Sequence, residues 1–464
     1  MDRLLFVSAD GHSTMPTELW PEYLEKEFHR YLPRLSDENR VFTRAMGVIN
    51  EPSLIFPTGT DTSPYDVFDA EGHYRSGQWA GAWDLDVRLQ EMDREGVAAE
   101  LVYHGYFKAT DLFFNVSNTV YPVDVVDAGV RAHNRWAHDT FGSAADRLLL
   151  VSAIGRCLDI DVAIREAAWA ADHGFVATYA PGFTPHPDQP PLYDPYWDPL
   201  WSFYEESGTT LVVHAGYGFP VGYTYGLVND AFEHAEANGD SDQALADRLM
   251  SQVFNDDKVF SDLRCRRPLW QMMLGGVFDR HPDLRLLMTE VRADWVPALL
   301  GRLDALYDAN RDDLPALRRP SEYWHSNCMA GLSFMHRSEV EMRDEIGIDT
   351  LSFGRDYPHT ESTWPNTADY LRALFEGVPE AEVRPILGEN LARFLRLDRA
   401  ALQPVVDRIG FAVDDILGWS PPVSPDLIAH LNMRCGYSKP AEEERRLADL
   451  EPMIHEDLIP LTSG

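Results

Sequence analysis

Four residues with metal-ligating side chains stand where short apolar runs stop. The run at 4–9 ends in Asp10-Gly11-His12, the run at 211–213 ends in His214, and the run at 351–354 is followed by Arg355 and Asp356. Short apolar runs bounded by polar residues read as buried strands, and in a parallel barrel the carboxyl ends of the strands form the rim where chemistry is done. Residues i and i+2 share one side of an extended strand, so the side chains of Asp10 and His12 can reach one ion. Carboxylate oxygen with imidazole nitrogen suits Zn, Mn or Fe, and a site with one open position lowers the pKa of a bound water to about 7. The residues therefore predict one divalent ion held by Asp10, His12, His214 and Asp356, with metal-assisted hydrolysis as the first chemistry to consider. A D-x-H triplet alone occurs by chance; its weight here comes from His214 and Asp356 at equivalent ends of other strands.

Glu290 ends a further apolar run, Leu287-Met288-Thr289. A carboxylate there can bind the metal, act as general base or orient a ligand, or it can be a first-turn helix glutamate favoured by the helix dipole. His104 ends the second apolar run, and His359 lies three residues past Asp356, within reach of substrate or behind the ligands. His133, His138, His173, His281 and His325 fall within or beside helix and strand patterns and read as structural. No GxSxG elbow, P-loop or GxGxxG after a strand is present, so α/β-hydrolase, nucleotide triphosphatase and dinucleotide-binding readings lose their usual anchors.

Eight strand candidates can position these groups: 4–9, 99–103, 148–154, 175–179, 210–213, 285–289, 323–328 and 350–354. Helical periodicity lies at 86–95, 123–141, 159–173, 198–207, 268–280, 295–310, 336–346, 367–375 and 380–395. That alternation predicts an α/β fold, a (β/α)8 TIM-type barrel. Two connections, 13–84 after strand 1 and 215–267 after strand 5, are too long for ordinary loops and are expected to be lids over the active face. Their aromatic residues, together with Tyr106, either form a lid core of their own or mark a cyclic or aromatic small-molecule substrate contacted by Trp83, Tyr106, Tyr217 and Phe219, together with His104. The barrel is expected over 1–400 and a C-terminal extension over 401–464. The apolar residues of that extension need a partner surface, either the barrel or a second subunit, and a homodimer is expected.

Hydrophobic content of 45% suffices for a large core, and a net charge of −35 opposes binding to phosphate backbones or anionic membranes. Nucleic acid and membrane are excluded as partners. Cys157, Cys265, Cys328 and Cys435 are far apart and form no CxxC pair, which points to reduced, buried thiols. The first apolar run is too short for a signal peptide and no run approaches 18 apolar residues, so a soluble cytoplasmic protein is expected.

With these residues placed, the chain resembles the amidohydrolase superfamily, in the branch that includes aminocarboxymuconate-semialdehyde decarboxylase and the benzoate-type decarboxylases. The resemblance runs from Leu4 to about Leu397 through DGH at 10–12, LQEMDREGV at 89–97, HAG at 214–216, GGVFDRHPDLRLLMTEVRADW at 275–295, FGRDYPHTESTWP at 353–365 and LGENLARFL at 387–395. It implies a (β/α)8 barrel with one divalent metal, Asp10, His12, His214 and Asp356 matching ligand positions, and Asp356 shuttling protons. One departure stands out. Decarboxylases of the branch carry a histidine at the end of strand 6, where this chain has Glu290 followed by Val291 and Arg292. That substitution favours a hydrolase, acting through metal-activated water on a C–N or C–C bond next to a carbonyl, with Asp356, Glu290 and His359 as the catalytic groups and zinc as the first-choice metal. The alternatives are nonoxidative decarboxylation of an aromatic or unsaturated acid and a non-catalytic small-ligand-binding barrel.

Overall fold

The computed structural model describes residues 2–49, 63–105, 121–183, 185–218, 223–249, 251, 263–360, 362–418, 421–436 and 443–462. Its strands are β1 (Val7–Ser8), β2 (His12–Ser13), β3 (Ala99–His104), β4 (Leu148–Ser152), β5 (Ala177–Tyr179), β6 (Thr210–His214), β7 (Leu286–Thr289), β8 (Cys328–Ser333) and β9 (Leu351–Gly354). All pair in parallel in the order β1-β3-β4-β5-β6-β7-β8-β9. β1 and β2 are two pieces of one barrel strand, since both pair β3, with Val7 opposite Ala99 and His12 opposite Tyr103. The ring closes between first and last strands: Ala9 N–H donates to Phe353 O at 3.0 Å, and Asp356 N–H to Asp10 O at 3.2 Å. The result is a (β/α)8 barrel, and the strands are buried along their length as parallel strands under a helical layer must be.

Glycines let the first strand lie this close to its neighbours. A Cβ on Gly11 would stand 2.7 Å from Glu100 Cδ and 2.8 Å from Arg88 Nη2, and one on Gly354 would stand 2.9 Å from Asp10 Cβ. The helices follow their capping signals: the side chains of Asp84 and Asp159 accept backbone N–H groups at the starts of Leu85–Arg94 and Ile160–Asp172.

The expected strand at 323–328 is instead the end of a helix, Pro320–Asn327, and the strand is Cys328–Ser333. Proline at the first helical position and Glu322, which accepts the Arg319 N–H at 2.9 Å, start that helix, and its aromatic residues Tyr323 and Trp324 are fully buried on its inner face. The helix expected at 268–280 divides into Arg267–Leu274 and Val277–Arg280 because Gly276 turns left-handed at φ 66°. The pattern at 380–395 passes through a π-helical turn, Pro385–Glu389.

Beyond the barrel, helix Glu443–Thr462 packs on Arg267–Leu274 and Val296–Asn310, burying Leu450, Ile454 and Leu458. Its Asp457 is a buried carboxylate that accepts from Arg267 at 2.7 and 2.9 Å, Trp270 Nε1 at 2.7 Å and Gln271 Nε2 at 3.0 Å. Helix Pro425–Gly436 lies on Pro64–Phe68, with His430 stacked on Phe68 at 5.1 Å. The first long insertion is thus pinned from above by the extension. Among the described residues no helix is long and apolar enough to cross a membrane.

Candidate metal centre

Apart from His359, which lies five residues past Gly354, each candidate side chain of the metal centre sits in a strand or within two residues of its end. His12 is in β2, His104 and His214 end β3 and β6, Glu290 follows β7, and Asp356 lies two residues after β9. Glu290 and Asp356 share a backbone feature that the sequence does not advertise: both are left-handed, with φ of 55° and 59°. An L-residue there costs about 1–2 kcal/mol, and such positions cluster at functional sites. Both are pinned by their own N–H groups, Glu290 to Gly331 O at 3.0 Å and Asp356 to Asp10 O.

The two facing histidines, His12 and His214, have one tautomer imposed on them. Nδ1 of His12 lies 3.2 Å from the carbonyl of His104, and Nδ1 of His214 lies 3.0 Å from the carbonyl of Ala215. A carbonyl can only accept, so Nδ1 carries the hydrogen and Nε2 presents its lone pair. Both Nε2 atoms are buried with no hydrogen-bond partner, as are Asp10 Oδ1 and both carboxylate oxygens of Asp356. Buried polar atoms normally find partners, so this many orphans facing one another at a barrel mouth mark a site for a cation.

The spacing fits one. His12 Nε2 lies 3.4 Å from Asp10 Oδ1, His214 Nε2 lies 3.5 Å from the same oxygen, and Glu290 Oε2 lies 3.4 Å from His214 Nε2. Ligand bonds of 2.0–2.2 Å in a tetrahedral site put neighbouring ligand atoms about 3.3–3.6 Å apart. Asp10, His12, His214 and Glu290 form one such group, all within 4.8 Å of one another, and His12, Asp356 and His359 form a second. Asp356 Oδ1 is 3.3 Å from both His12 Nε2 and His359 Nδ1, and the rings of His12 and His359 stack at 4.0 Å with planes 11° apart.

Burial, reinforced by the neighbouring His359, pushes the pKa of His12 well below the ordinary imidazole value, which keeps its ring neutral. Burial also opposes charge on His214, but the carboxylates of Asp10 and Glu290 outweigh it and push its pKa up to about 9. The same carboxylates attract a divalent cation, which competes with that proton for Nε2.

Behind these groups lies a shell the sequence did not reveal. Ser333 donates to Asp10 Oδ2, and Tyr103 and Thr289 share a hydrogen bond at 2.8 Å. Beneath them Glu100, fully buried, accepts from Arg88 at 2.7 Å and Arg355 at 2.6 Å. Arg88 also donates to His12 O at 2.6 Å, and Arg355, beside Asp356, reaches Glu95 at 2.9 Å. Charged residues inside a helix, Arg88, and a strand, Glu100, carry no motif, so only the folded chain joins them.

His104 is buried next to His12 and is ringed by Tyr179 at 4.7 Å and Phe183 at 5.3 Å, two aromatic residues not singled out from the sequence. Of the expected substrate contacts, Trp83 packs edge-on to Trp79 at 5.5 Å, and Tyr217 donates its hydroxyl to Pro181 O at 2.6 Å. Tyr217 also lines a separate cavity of about 530 Å³ bounded by Arg264, Arg267 and the C-terminal helix. Tyr106 and Phe219 lie outside the described residues. Cys265 donates to the His214 carbonyl at 3.4 Å, and Cys157 and Cys328 are free, buried thiols.

The model of the amidohydrolase family matches residues 67–397. A gamma-resorcylate decarboxylase from Rhodococcus jostii (strain RHA1) is 28% identical over 134 residues, a match spanning 28% of this chain and 39% of that enzyme. The structure resembles an amidohydrolase from Mycobacterium avium subsp. paratuberculosis K-10 with a TM-score of 0.56 and 18% identity, over 85% of this chain and 100% of that one. It also resembles a dihydroxybenzoic acid decarboxylase from Polaromonas sp. JS666, solved with bound manganese and the inhibitor 2-nitroresorcinol, with a TM-score of 0.51 and 15% identity over 86% and 99% of the two chains. At these identities the two structural likenesses establish the fold.

Proposed function

The chain belongs to the amidohydrolase family, and from that premise we propose that it is a metal-dependent lyase that removes carbon dioxide, without oxygen, from a hydroxyaryl acid. The observation that carries this reading is the pair of facing histidine Nε2 atoms and Asp10 Oδ1, with the Asp356 carboxylate 3.3 Å from His12 Nε2. The sequence favoured hydrolysis; the Rhodococcus and Polaromonas relatives, both decarboxylases, support the lyase.

Asp10, His12 and His214, with Glu290 and Asp356 both in reach, would hold a divalent ion, which would supply an electrophile for the acidic oxygens of the substrate. Asp356, in its acid form, gives a proton to the ring carbon that bears the carboxyl group. The carbon–carbon bond then breaks, its electron pair returns to the ring, and carbon dioxide leaves. The proton given to the ring stays in the product, and His359 Nδ1, 3.3 Å from Asp356 Oδ1, is placed to hand Asp356 a replacement taken from solvent. Burial of Asp10, His12 and Asp356 keeps bulk water from competing, and the aromatic surface of His104, Tyr179 and Phe183 suits a planar ring.

Within this proposal the resident ion is zinc, on the mixed nitrogen and oxygen donors, with the manganese of the Polaromonas relative as its competitor, and the enzyme acts as a cytoplasmic homodimer. Elemental analysis and sedimentation test these points. A second reading, hydrolysis with Glu290 as general base, draws on the carboxylate standing where the decarboxylase branch carries an imidazole. Incubation of the zinc- or manganese-loaded enzyme with hydroxybenzoates, gamma-resorcylate first, in deuterated water separates the two. Carbon dioxide release with one deuterium at the vacated ring position supports the lyase. Failure to release carbon dioxide from any hydroxyaryl acid, with solvent oxygen appearing in the product of an amide or lactone panel, replaces it with the hydrolase.

A further inference from the structure

We propose that Asp457, in the last helix of the chain, is a positioning residue for the metal centre: through the segment 264–271 it fixes the backbone at His214, so that the C-terminal extension belongs to the machinery of the site. The inference rests on the metal-centre reading above. Asp457 lies well beyond residues 67–397, the stretch that the family model matches.

A carboxylate is costly to bury unless its lone pairs are filled. Asp457, 5% exposed, fills them from one short helix, Arg267–Leu274. Oδ2 accepts from Arg267 Nε at 2.9 Å and Trp270 Nε1 at 2.7 Å, and Oδ1 from Arg267 Nη2 at 2.7 Å and Gln271 Nε2 at 3.0 Å. Leu450, Ile454 and Leu458 already bury the apolar face of the last helix. A buried ion pair adds little to such docking, because desolvation offsets much of its attraction. What the two-pronged arginine contact adds is direction: it fixes the register and orientation of Arg267–Leu274.

That helix is entered through the turn Arg264–Arg266, where Cys265 donates its Sγ–H to the His214 carbonyl at 3.4 Å. The same carbonyl accepts the Tyr217 N–H at 3.1 Å. Tyr217 in turn lines the cavity that Arg267 and Asp457 bound, and its hydroxyl donates to Pro181 O at 2.6 Å. The fit there is close, since a Cβ on Gly182 would stand 2.5 Å from the Tyr217 hydroxyl oxygen. Gln271 Oε1 accepts the Leu192 N–H at 3.0 Å and ties down the far end of the same loop. Asp457 therefore stands behind both groups that hold the His214 carbonyl. The ring of His214 is oriented by the next peptide, through Nδ1 on Ala215 O at 3.0 Å, so a rotation of that backbone moves Nε2 away from its place 3.5 Å from Asp10 Oδ1. Asp10 is held by Ser333, His12 by Arg88, and His214 by this route.

The test is metal binding by the full-length protein, which reads the site without turnover. Metal-stripped native protein, Asp457→Asn, Cys265→Ala and Ile454→Ala are titrated with Mn²⁺, with free aquo-manganese followed by electron paramagnetic resonance. The visible absorption of bound Co²⁺ is recorded for each, and circular dichroism reports folding. Ile454→Ala is the control: it loosens the same helix by removing buried apolar atoms and leaves the partners of Asp457 in place. Support is one equivalent bound by the native protein, an affinity lowered about 10-fold or more in Asp457→Asn, the lower end of what a supporting residue costs, and Ile454→Ala within about 2-fold of native. The Co²⁺ spectrum should change in Asp457→Asn and Cys265→Ala and stay native in Ile454→Ala. Native affinity and spectrum in Asp457→Asn overturn the assignment. So does an Ile454→Ala loss equal to that of Asp457→Asn, because helix docking then accounts for both. Should Asp457→Asn fail to fold, Cys265→Ala decides, and a native affinity and spectrum there overturn the route to His214. If the native protein itself binds no manganese or zinc, the metal-centre reading falls and this inference with it.

Discussion

Replacing Glu100 by glutamine perturbs the metal centre without touching it. The carboxylate is fully buried and divides its two oxygens between Arg88 and Arg355. Around it Arg94 pairs with Glu91 at 2.7 Å and Arg355 with Glu95, so three arginines meet three glutamates and the cluster is neutral. Glu100→Gln leaves one surplus positive charge beside two arginines that are fully buried. Removing one member of a buried ion pair costs about 3–5 kcal/mol. Unfolding entropy of about 2.1 cal/mol/K per residue, over a chain of 464 residues, comes to about 1 kcal/mol/K, so the apparent melting temperature should fall by about 3–5 °C. Manganese affinity should fall as well, by about 10–100-fold as for other supporting residues, because Arg88 holds the His12 carbonyl and Arg355 adjoins Asp356. The double variant Arg88→Met/Glu100→Gln separates the two effects. It restores charge balance and should regain most of the lost melting temperature, while leaving His12 without its anchor and the metal affinity low. Differential scanning calorimetry and Mn²⁺ titration read both. A melting temperature of Glu100→Gln within 1 °C of native, or a double variant less stable than the single, would refute the charge-balance argument.

Two further expectations concern single residues. Ser333→Ala removes the donor to Asp10 Oδ2 and should weaken manganese binding about 10–100-fold while leaving the melting temperature of the metal-free protein within about 2 °C, since the change takes away one small hydroxyl. Burial pushes the pKa of His133 down to about 3. The unfolded chain, with an ordinary imidazole, therefore takes up a proton between about pH 6.5 and pH 3 that the folded chain refuses, so stability from this group is fully present above pH 6.5 and is lost as pH falls. Between pH 7 and pH 5 the loss is about 2 kcal/mol. Urea unfolding of His133→Leu at the two pH values should show the native difference reduced by that amount, and an unchanged difference would mean that His133 does not titrate as its burial requires.

What could be read from the amino-acid order, and what could not, follows from the range of the interactions involved. Asp10, His12, His214 and Asp356 were visible because each terminates an apolar run or follows it closely, a signal written in neighbouring residues. The strand at Cys328–Ser333 was misplaced because Tyr323 and Trp324 look like strand residues, whereas Pro320 and Glu322 had already started a helix. Tyr179 and Phe183 escaped because their partner His104 is distant along the chain and nearby only in the barrel.

The surroundings of Glu290 and Asp356 lie at the same limit. Both are acidic residues after an apolar strand, and nothing local says what each one faces. The difference comes from what stands opposite. Glu290 faces the Nε2 of His214, which is shared with Asp10, whereas Asp356 faces His359, whose ring lies flat on His12. Two perpendicular imidazoles can share an ion and two stacked ones cannot, so the orientation of His359 relative to His12 keeps His359 off an ion that His12 faces and leaves it beside Asp356. Ring orientation in turn depends on the backbone carbonyl at His104 and on the loop from Asp356 to His359, whose N–H bonds back to the Asp356 carbonyl at 3.0 Å. A change confined to that loop, such as His359→Phe, should therefore preserve the metal and remove the proton partner of Asp356. The expected signature is native manganese affinity with a lowered maximal rate. A variant that lost metal and rate in equal measure would place His359 among the ligands instead.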